Sequence, residues 1–363
     1  MGSAHTVTVF GAYGHTGRFV VAELLGRGFV PVLSGRDAAR LRELAASSPT
    51  GLEVRPASAE DPASLDRALA GAAAVVNCAG PFATTAGPVV EAALRAGVPY
   101  VDVAAEIEAN VDTFARYGDR ARAEGAVILP AMAFFGGLGD LLATTAMGDW
   151  TEADEARVAY GLSDWHPTAG TRTAGQVSRE RRDGRHVRFT GGKLEYHDDE
   201  QPVLEWEFPA PLGRRTVVDE FTMADVVTLP SHLRIPEVRT AMALDAARDL
   251  ASPDTPAPTA VDERGRSAQT FLVDVVVRSG TTERRAVAGG QDIYAVTAPL
   301  VVEAVHRILT GRTRTTGVAS AGALFDAADL LRSLSAHLTL DVGERAVPAT
   351  GQVRVAGRAQ GEW

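Results

Sequence analysis

Residues Thr6 to Arg18 read TVTVFGAYGHTGR, an apolar strand running into three glycines, Gly11, Gly14 and Gly17. A buried strand that must turn at once into a helix needs a residue of wide conformational freedom at the turn, which Gly11 supplies. Gly14 leaves room for a phosphate to approach the backbone amides, and Gly17 lets helix and strand pack closely. The helix that follows, about Thr16 to Gly26, offers an anion its unpaired N–H groups and the positive end of its dipole. Tyr13, His15 and Thr16 sit between the glycines on the same turn. In a chain with 36 glycines such spacings also arise by chance, so the context decides. A strand precedes, an amphipathic helix follows, and a second strand, Phe29 to Leu33, comes at βαβ distance. The expectation is a Rossmann domain that binds a dinucleotide. Its spacing is G-x-x-G-x-x-G, one residue longer than G-x-G-x-x-G.

The second strand ends Leu33-Ser34-Gly35-Arg36-Asp37. A site selecting NAD sets an acid at this strand's end to accept from the ribose 2′-hydroxyl. Ser34 and Gly35 hold that place here, followed by Arg36. Its guanidinium can pair with the extra phosphate of NADP while Ser34 donates to it. Arg36 is otherwise a solvated arginine. Asp37 is either the missing acid, displaced along the chain, or the N-cap of a helix Ala38 to Ala46. The helical run that begins at once favours the cap. The expected cofactor is NADP(H).

The chain has 363 residues, room for two domains or one elaborated one. Its 45% hydrophobic and 23% charged content are those of a soluble globular protein. A net charge of −10 argues against nucleic acid or an anionic membrane as partner, although a local arginine pocket can still hold an anionic substrate. Lys193 is the only lysine, which removes a lysine general base from most of the chain. With Cys78 the single cysteine, no disulfide framework or thiolate metal site is expected, and no other metal-ligand cluster is visible. Thr6 to Phe10 is a strand-length run flanked by turn glycines and not a signal peptide. The longest apolar run, about Ala126 to Leu138, is too short to span a bilayer. A cytoplasmic location is the resulting expectation.

Up to about Met132 short apolar runs alternate with helical patterns. The strands read are Val7–Phe10, Phe29–Leu33, Leu52–Pro56, Ala74–Asn77, Tyr100–Val103 and Ala126–Leu129; the helices include Pro62–Leu69 and Pro88–Ala96, closed by Gly97. This predicts an α/β domain over residues 1–133, built on a doubly wound parallel sheet. From 134 to 291 the pattern changes: Val158–Leu162, Val187–Phe189, Val203–Phe208 and Thr270–Arg278 read as strands between polar turns. Phe271, Val273, Val275 and Val277 alternate as on one half-buried face. A second, α+β domain on a largely antiparallel sheet follows, a surface that suits a homodimer, with Ala251 to Gly265 an exposed loop. Residues 292–340, helical at Ala295–Leu309 and Ala321–Leu334, return to the first domain. Residues 341–363 form a tail without pattern, and Met1 to Ser3 read as a tag remnant.

Ala74 to Phe82, AVVNCAGPF, is the fourth strand and its exit. In a doubly wound sheet the carboxyl ends of strands line the ligand crevice, so Cys78, Ala79, Gly80 and Pro81 are expected beside the nicotinamide ribose. Cys78 reads as a small buried residue and not a nucleophile. The longer stretch Val76 to Glu106, VNCAGPFATTAGPVVEAALRAGVPYVDVAAE, resembles the second signature of the saccharopine-dehydrogenase-like oxidoreductases. Gly11, Ala12, Gly14, Thr16, Gly17 and Arg18 resemble the first, GA-x-G-x-TGR. The family's Tyr-x-Asp and Gly-Glu are met by Tyr100, Asp102 and Glu106, with Ala105 in place of the glycine and His15 where an aromatic residue is frequent. The resemblance is specific over roughly the first third of the chain and looser for Gly289 to Leu309. It implies NADP-dependent hydride transfer to a small molecule, by a Rossmann domain plus an α+β substrate domain. Relatives of this shape include trans-acting enoyl reductases, so the reading preferred from sequence is reduction of a conjugated C=C bond in secondary or lipid metabolism. An imine or amino-acid reductase of saccharopine-dehydrogenase type and a non-enzymatic NADP-sensing protein are the alternatives.

Such a reduction needs a proton donor opposite the hydride and a site that excludes water. Asp102, at the end of the fifth strand, is either that donor or a side chain bonding loop amides. Glu106 binds the nicotinamide carboxamide or ribose, or caps the helix from Ile107. Trp165 to Arg172, WHPTAGTR, reads as a polar substrate loop holding His166, Thr168, Thr171 and Arg172. His166 can supply a proton near neutral pH, and Arg172 can fork onto a carboxylate or enolate oxygen. The competing reading is a solvated loop with an incidental arginine. Tyr294 and Thr297 face the nicotinamide, or Tyr294 is packed with its hydroxyl bonded. Arg179 to Arg185 read as a solvated face, and His232 has no identifiable partner.

Overall fold

The computed structural model describes residues 5–48 and 51–346, and among these the chain forms two sheets. The expectations for Met1 to Ser3 and for the tail beyond residue 346 lie outside the described residues. β1 (Thr6–Phe10) is buried on both faces because helices cover both, and its buried Thr8 donates to the Ala68 carbonyl at 3.0 Å. Val7 and Val9 pack with Val20, Val21 and Leu24 of α1 (His15–Gly26), while Phe10 packs on the other side with Leu65 and Leu69. The alternation continues through β2 (Val30–Gly35), α2 (Ala38–Ala46), β3 (Glu53–Pro56), α3 (Pro62–Leu69), β4 (Ala74–Asn77), α4 (Phe82–Ala96), β5 (Tyr100–Asp102), α5 (Ile107–Glu124) and β6 (Val127–Leu129). These strands are parallel and lie in the order β6-β5-β4-β1-β2-β3. The order reverses between β1 and β4, where the ends of the strands leave a ligand crevice.

A kinked turn, Phe134–Leu138, with non-helical backbone at Phe135 and Gly136, leads into α6 (Gly139–Met147) and the second sheet. There follow β7 (Glu155–Leu162), α7 (Ala169–Arg181), β8 (His186–Thr190), β9 (Lys193–His197), β10 (Val203–Glu207), β11 (Arg214–Asp219), α8 (Asp225–Thr228), β12 (Glu237–Ala243), α9 (Leu244–Ala251), β13 (Thr270–Ser279) and β14 (Thr282–Gln291). After α10 (Thr297–Leu309), the short β15 (Gly317–Val318) joins the first sheet beside β6. Then come α11 (Ala321–Leu324), α12 (Ala327–Ser333) and β16 (Thr339–Ala346), which pairs with β14. The second sheet runs β10-β11-β12-β7-β13-β14-β16 and is antiparallel except for β12 against β7. Hairpin β8–β9 attaches to β12.

The expected fold class, a doubly wound sheet followed by a largely antiparallel one, is the observed one. Its details differ in four places. The face holding Phe271, Val273, Val275 and Val277 is fully buried, in the same core as Val7, Leu141 and Leu300. The opposite face is covered as well, since Trp206 Nε1 donates to the buried Asp274 at 2.8 Å. Residues 341–346, read as patternless, are a strand, and Ala321–Leu334 breaks into two short helices. Arg179 to Arg185 do not form a simple solvated face. Arg181 pairs with Asp112 at 2.8 Å and Ser178 donates to Glu108 at 2.6 Å, pinning α7 of the second unit to α5 of the first.

Candidate functional site

The turn from β1 into α1 is built by contacts only glycine permits. Gly11 has φ +86°, and a Cβ there would lie 2.8 Å from the backbone of Cys78 and Ala79. A Cβ on Gly17 would lie 2.2 Å from the Gly11 carbonyl oxygen, and one on Gly14 3.1 Å from it. The amides of Gly11 and Ala12 donate to the Ser34 carbonyl at 2.9 and 3.2 Å, which binds the turn to the end of β2. Gly14 caps α1 without a side chain, and no acid occupies the first turn, so the positive helix end stands open to an anion. This cradle of close backbone fits a dinucleotide's pyrophosphate. His15 opens α1 with its ring edge-on to Phe19 and Tyr294, at 5.3 and 5.1 Å, and burial lowers its pKa. Thr16 follows it in the same helical turn.

At the end of β2, Ser34 is fully buried, and its Oγ has no partner among the described residues. Asp37 caps α2, its Oδ1 accepting from the amides of Ala39 and Arg40 at 3.0 and 3.1 Å. The helix-cap reading of Asp37 is thus the one the structure adopts. Arg36 is exposed and makes no hydrogen bond or ion pair among the described residues. Arg40, which the sequence reading passed over, lies with its guanidinium 4.7 Å from the ring centroid of Tyr13. Its spacing of four residues from Arg36 was the available signal.

At the exit of β4, Ala79 N donates to Asn77 Oδ1 at 3.0 Å and Gly80 precedes Pro81 and the start of α4. A Cβ on Gly80 would lie 3.8 Å from that of Ala174, so α7 reaches over this turn. Cys78 is half-buried, and burial together with Asp102 pushes its thiol up to about 12, which leaves no nucleophile. Glu106 accepts from the amides of Phe82 and Ala83 at 2.6 and 3.0 Å. It therefore caps α4 and not its own helix, because those two amides begin α4 without another partner. Burial raises the Glu106 pKa against the pull of those amides.

The expected catalytic groups fare differently. Asp102 is buried, with Oδ1 accepting from Ala104 and Ala131 amides at 3.0 and 2.8 Å, and Oδ2 from the Tyr100 hydroxyl at 2.8 Å. Burial pushes its carboxyl up to about 6. It ties β5 to the turn after β6, as the loop-bonding alternative expects. Arg172 lies on α7, and its Nη2 donates to the carbonyls of Ser252 and Thr255 at 3.1 and 2.8 Å, so it holds a loop in this structure. The Tyr294 hydroxyl receives Trp165 Nε1–H at 3.2 Å and the Thr168 amide at 3.3 Å, and bonds Thr171 Oγ1 at 3.0 Å. It fastens the loop Trp165 to Thr168 and is not available to a ligand. Thr297 is likewise engaged, between the Ile293 carbonyl and the Phe134 amide. His166 remains: its side chain has no partner among the described residues and lines a cleft of about 180 Å³ with Asp164, Gln269 and Tyr294. His232, read as unpartnered, meets the buried Asp140 at 2.7 Å.

Residues 7–129 match the family model of the saccharopine dehydrogenase NADP binding domain. An Arabidopsis thaliana protein named "Probable mitochondrial saccharopine dehydrogenase-like oxidoreductase" is 33% identical over 144 residues, 36% of this chain and 32% of that one. A Mus musculus saccharopine dehydrogenase-like oxidoreductase is 28% identical over 145 residues, 35% of this chain and 34% of its own. The chain thus matches about a third of the length of these relatives. Over 94% of this chain and 100% of the other, the fold resembles saccharopine dehydrogenase (L-Glu forming) from Saccharomyces cerevisiae, with TM-score 0.63 at 12% identity. The expected cytoplasmic location does not stand. The Arabidopsis relative is named mitochondrial and a Caenorhabditis elegans one, 30% identical over 140 residues (36% of this chain and 33% of that one), is named for lipid droplets. The expectation had rested only on the lack of a signal peptide and of a bilayer-spanning run.

Proposed function

We propose, from the premise that residues 7–129 are a saccharopine dehydrogenase NADP binding domain, that the whole chain is an NADP-dependent oxidoreductase acting on carbon–nitrogen bonds of small molecules. The observation that carries this is the glycine cradle at the β1–β4 switch point, with α7 and its loop packed across from it. The C=C reduction preferred from sequence gives way to the C–N alternative, because the matched relatives bear saccharopine dehydrogenase-like names. NADPH, when bound, supplies the hydride. Reduction of an imine also requires a proton at nitrogen, and His166 is the expected donor left with an uncommitted side chain. Arg172 is engaged by the loop at Ser252 and Thr255, which turns the proposal away from substrates with several carboxylates. The simplest class is the imine of an amine or of a monocarboxylic amino acid. A homodimer belongs to the same proposal, and light scattering of the purified chain tests it.

The experiment is NADPH consumption by the full chain with preformed imines and, in parallel, conjugated enones. Turnover of imines that His166→Ala abolishes, with NADPH binding unchanged, supports the reading. Turnover of enones alone restores the C=C alternative. Tight NADPH binding without turnover of either class favours the sensing protein.

A further inference from the structure

Two arginines without carboxylate partners among the described residues stand at the start of α2, Arg36 just before its cap and Arg40 in its first turn. Cations are disfavoured there by the helix dipole, which makes this an unusual place to leave a pair of them unless an anion arrives. Arg27 pairs with Glu23 and Glu303, and Arg55 with Glu53, whereas Arg42, further along α2, shares the unpaired state among the described residues. Arg40 is also held in place. Its guanidinium stacks on the Tyr13 ring, and that ring rests on Gly35 so closely that a Cβ there would lie 2.9 Å from Cε1. Gly35, Tyr13 and Arg40 form a three-layer stack joining the glycine turn to the end of β2. Beside it is Ser34, fully buried, with an unpartnered Oγ. Asp37, between the two arginines in sequence, is engaged by the helix amides. In a doubly wound sheet the adenosine half of a dinucleotide lies at this strand end.

We infer that Arg40, held by Tyr13, is a second cation on the 2′-phosphate of the cofactor beside Arg36, and that this stack sets the preference for NADP over NAD. The inference rests on the NADP-dependent reading above. A phosphomonoester carries between one and two negative charges at neutral pH, and a lone guanidinium leaves part of that charge unmatched. Arg40 supplies the rest from a geometry fixed before binding, since an arginine already stacked on a ring loses less freedom when it meets its anion. Tyr13 is a positioning residue whose ring, and not its hydroxyl, does the holding.

The test is equilibrium binding of 2′,5′-ADP and 5′-AMP to the full chain and to the variants Arg40→Ala, Arg36→Ala, Tyr13→Ala and Tyr13→Phe. Wild type is expected to favour 2′,5′-ADP by at least about tenfold, the scale of one charge-assisted contact. Arg40→Ala should lose about tenfold toward 2′,5′-ADP and nothing toward 5′-AMP. Tyr13→Phe should keep the wild-type ratio, and Tyr13→Ala should fall with Arg40→Ala. If Arg36→Ala removes the preference while Arg40→Ala leaves it whole, the inference is overturned with the NADP reading intact. Equal affinity of wild type for the two probes overturns the NADP reading itself. A Tyr13→Ala chain that keeps the ratio removes the positioning role. All three positions lie at the surface or in the turn, and a thermal melt of each variant separates lost binding from lost fold.

Discussion

The crevice at the end of the first sheet and the loop facing it from the second use polar groups in opposite ways. Around the glycine turn the donors are uncommitted: the first amides of α1, Ser34 Oγ, Arg36 and Arg40. In the facing loop nearly every polar group is satisfied by the protein, with Tyr294 bonded to Trp165, Thr168 and Thr171, and Arg172 to two carbonyls. A group already paired within the fold must break that pairing before it can serve a ligand, and the net gain from the exchange is small. An unpaired donor at a crevice has no such cost. Side chains that look equally chemical in sequence are therefore sorted by whether the fold has already used them.

The largest effect should come from breaking the cradle. A Cβ at Gly17 would meet the Gly11 carbonyl oxygen at 2.2 Å, an atom of backbone that cannot swing aside. Gly17→Ala is expected to abolish NADPH binding in calorimetry and to destabilise the fold by roughly 1–3 kcal/mol, as overpacking does. Gly26, at the other end of α1, has nothing within 4 Å of a built Cβ. Gly26→Ala should bind normally and gain up to about 1 kcal/mol of stability. Equal behaviour of the two variants would mean that the close packing of the turn is not what shapes the site.

Much of this contrast was legible before any coordinates. Central strands buried on both faces read as apolar runs, which is why β1, β2 and β4 are plain in TVTVF, VPVLSG and AVVN. The second sheet hides its strands: β14 is TERRAVAGGQ and β11 is RRTVVD, because Arg285 and Arg214 point their charges at partners on neighbouring strands. Helix α7, AGTRTAGQVSRER, buries only Ser178 and is held by ion pairs to α5, so it carries no apolar stripe to reveal it. The site was legible in position but not in direction. Sequence placed Asp102 and Glu106 at the crevice, yet nothing local records that Glu106 would cap a helix beginning 24 residues before it.

The junction between the two halves buries acids whose titration should show in stability. Asp225, accepting both ways from the Tyr160 hydroxyl beside the α6 start, is pushed by burial up to about 7, and Asp102 up to about 6. Both are raised above the unfolded carboxylate value of about 3.9. Their contribution is fully present below that value and is lost as pH climbs through 6 and 7. Burial opposes the charge on His232, but Asp140 overcomes it and raises its pKa, which adds loss in the same direction. These three groups lower the denaturation midpoint between about pH 5 and about pH 8, each unit of separation counting about 1.4 kcal/mol, against a rise below about pH 6.5 from His15, His186 and His337, whose pKa values burial lowers. Asp225→Asn should flatten the upper part of that slope. An Asp225→Asn slope that matches the wild type would show that Asp225 ionises freely in the fold, and that the junction is wetter than its packing implies.

Arg172 gives the smallest effect and the sharpest test of the comparison, because its two possible roles move different observables. As a loop anchor it contributes two hydrogen bonds to Ser252 and Thr255, so Arg172→Ala should cost about 1–2 kcal/mol of stability and leave NADPH affinity unchanged. As a substrate anchor it would instead raise KM with the denaturation midpoint untouched. Arg172→Lys separates the two further. An ammonium keeps the charge a substrate carboxylate would want but loses the planar fork. A lysine variant that restores KM without restoring stability would place this residue with the crevice and its uncommitted donors, and would break the division between the two regions at its most exposed point.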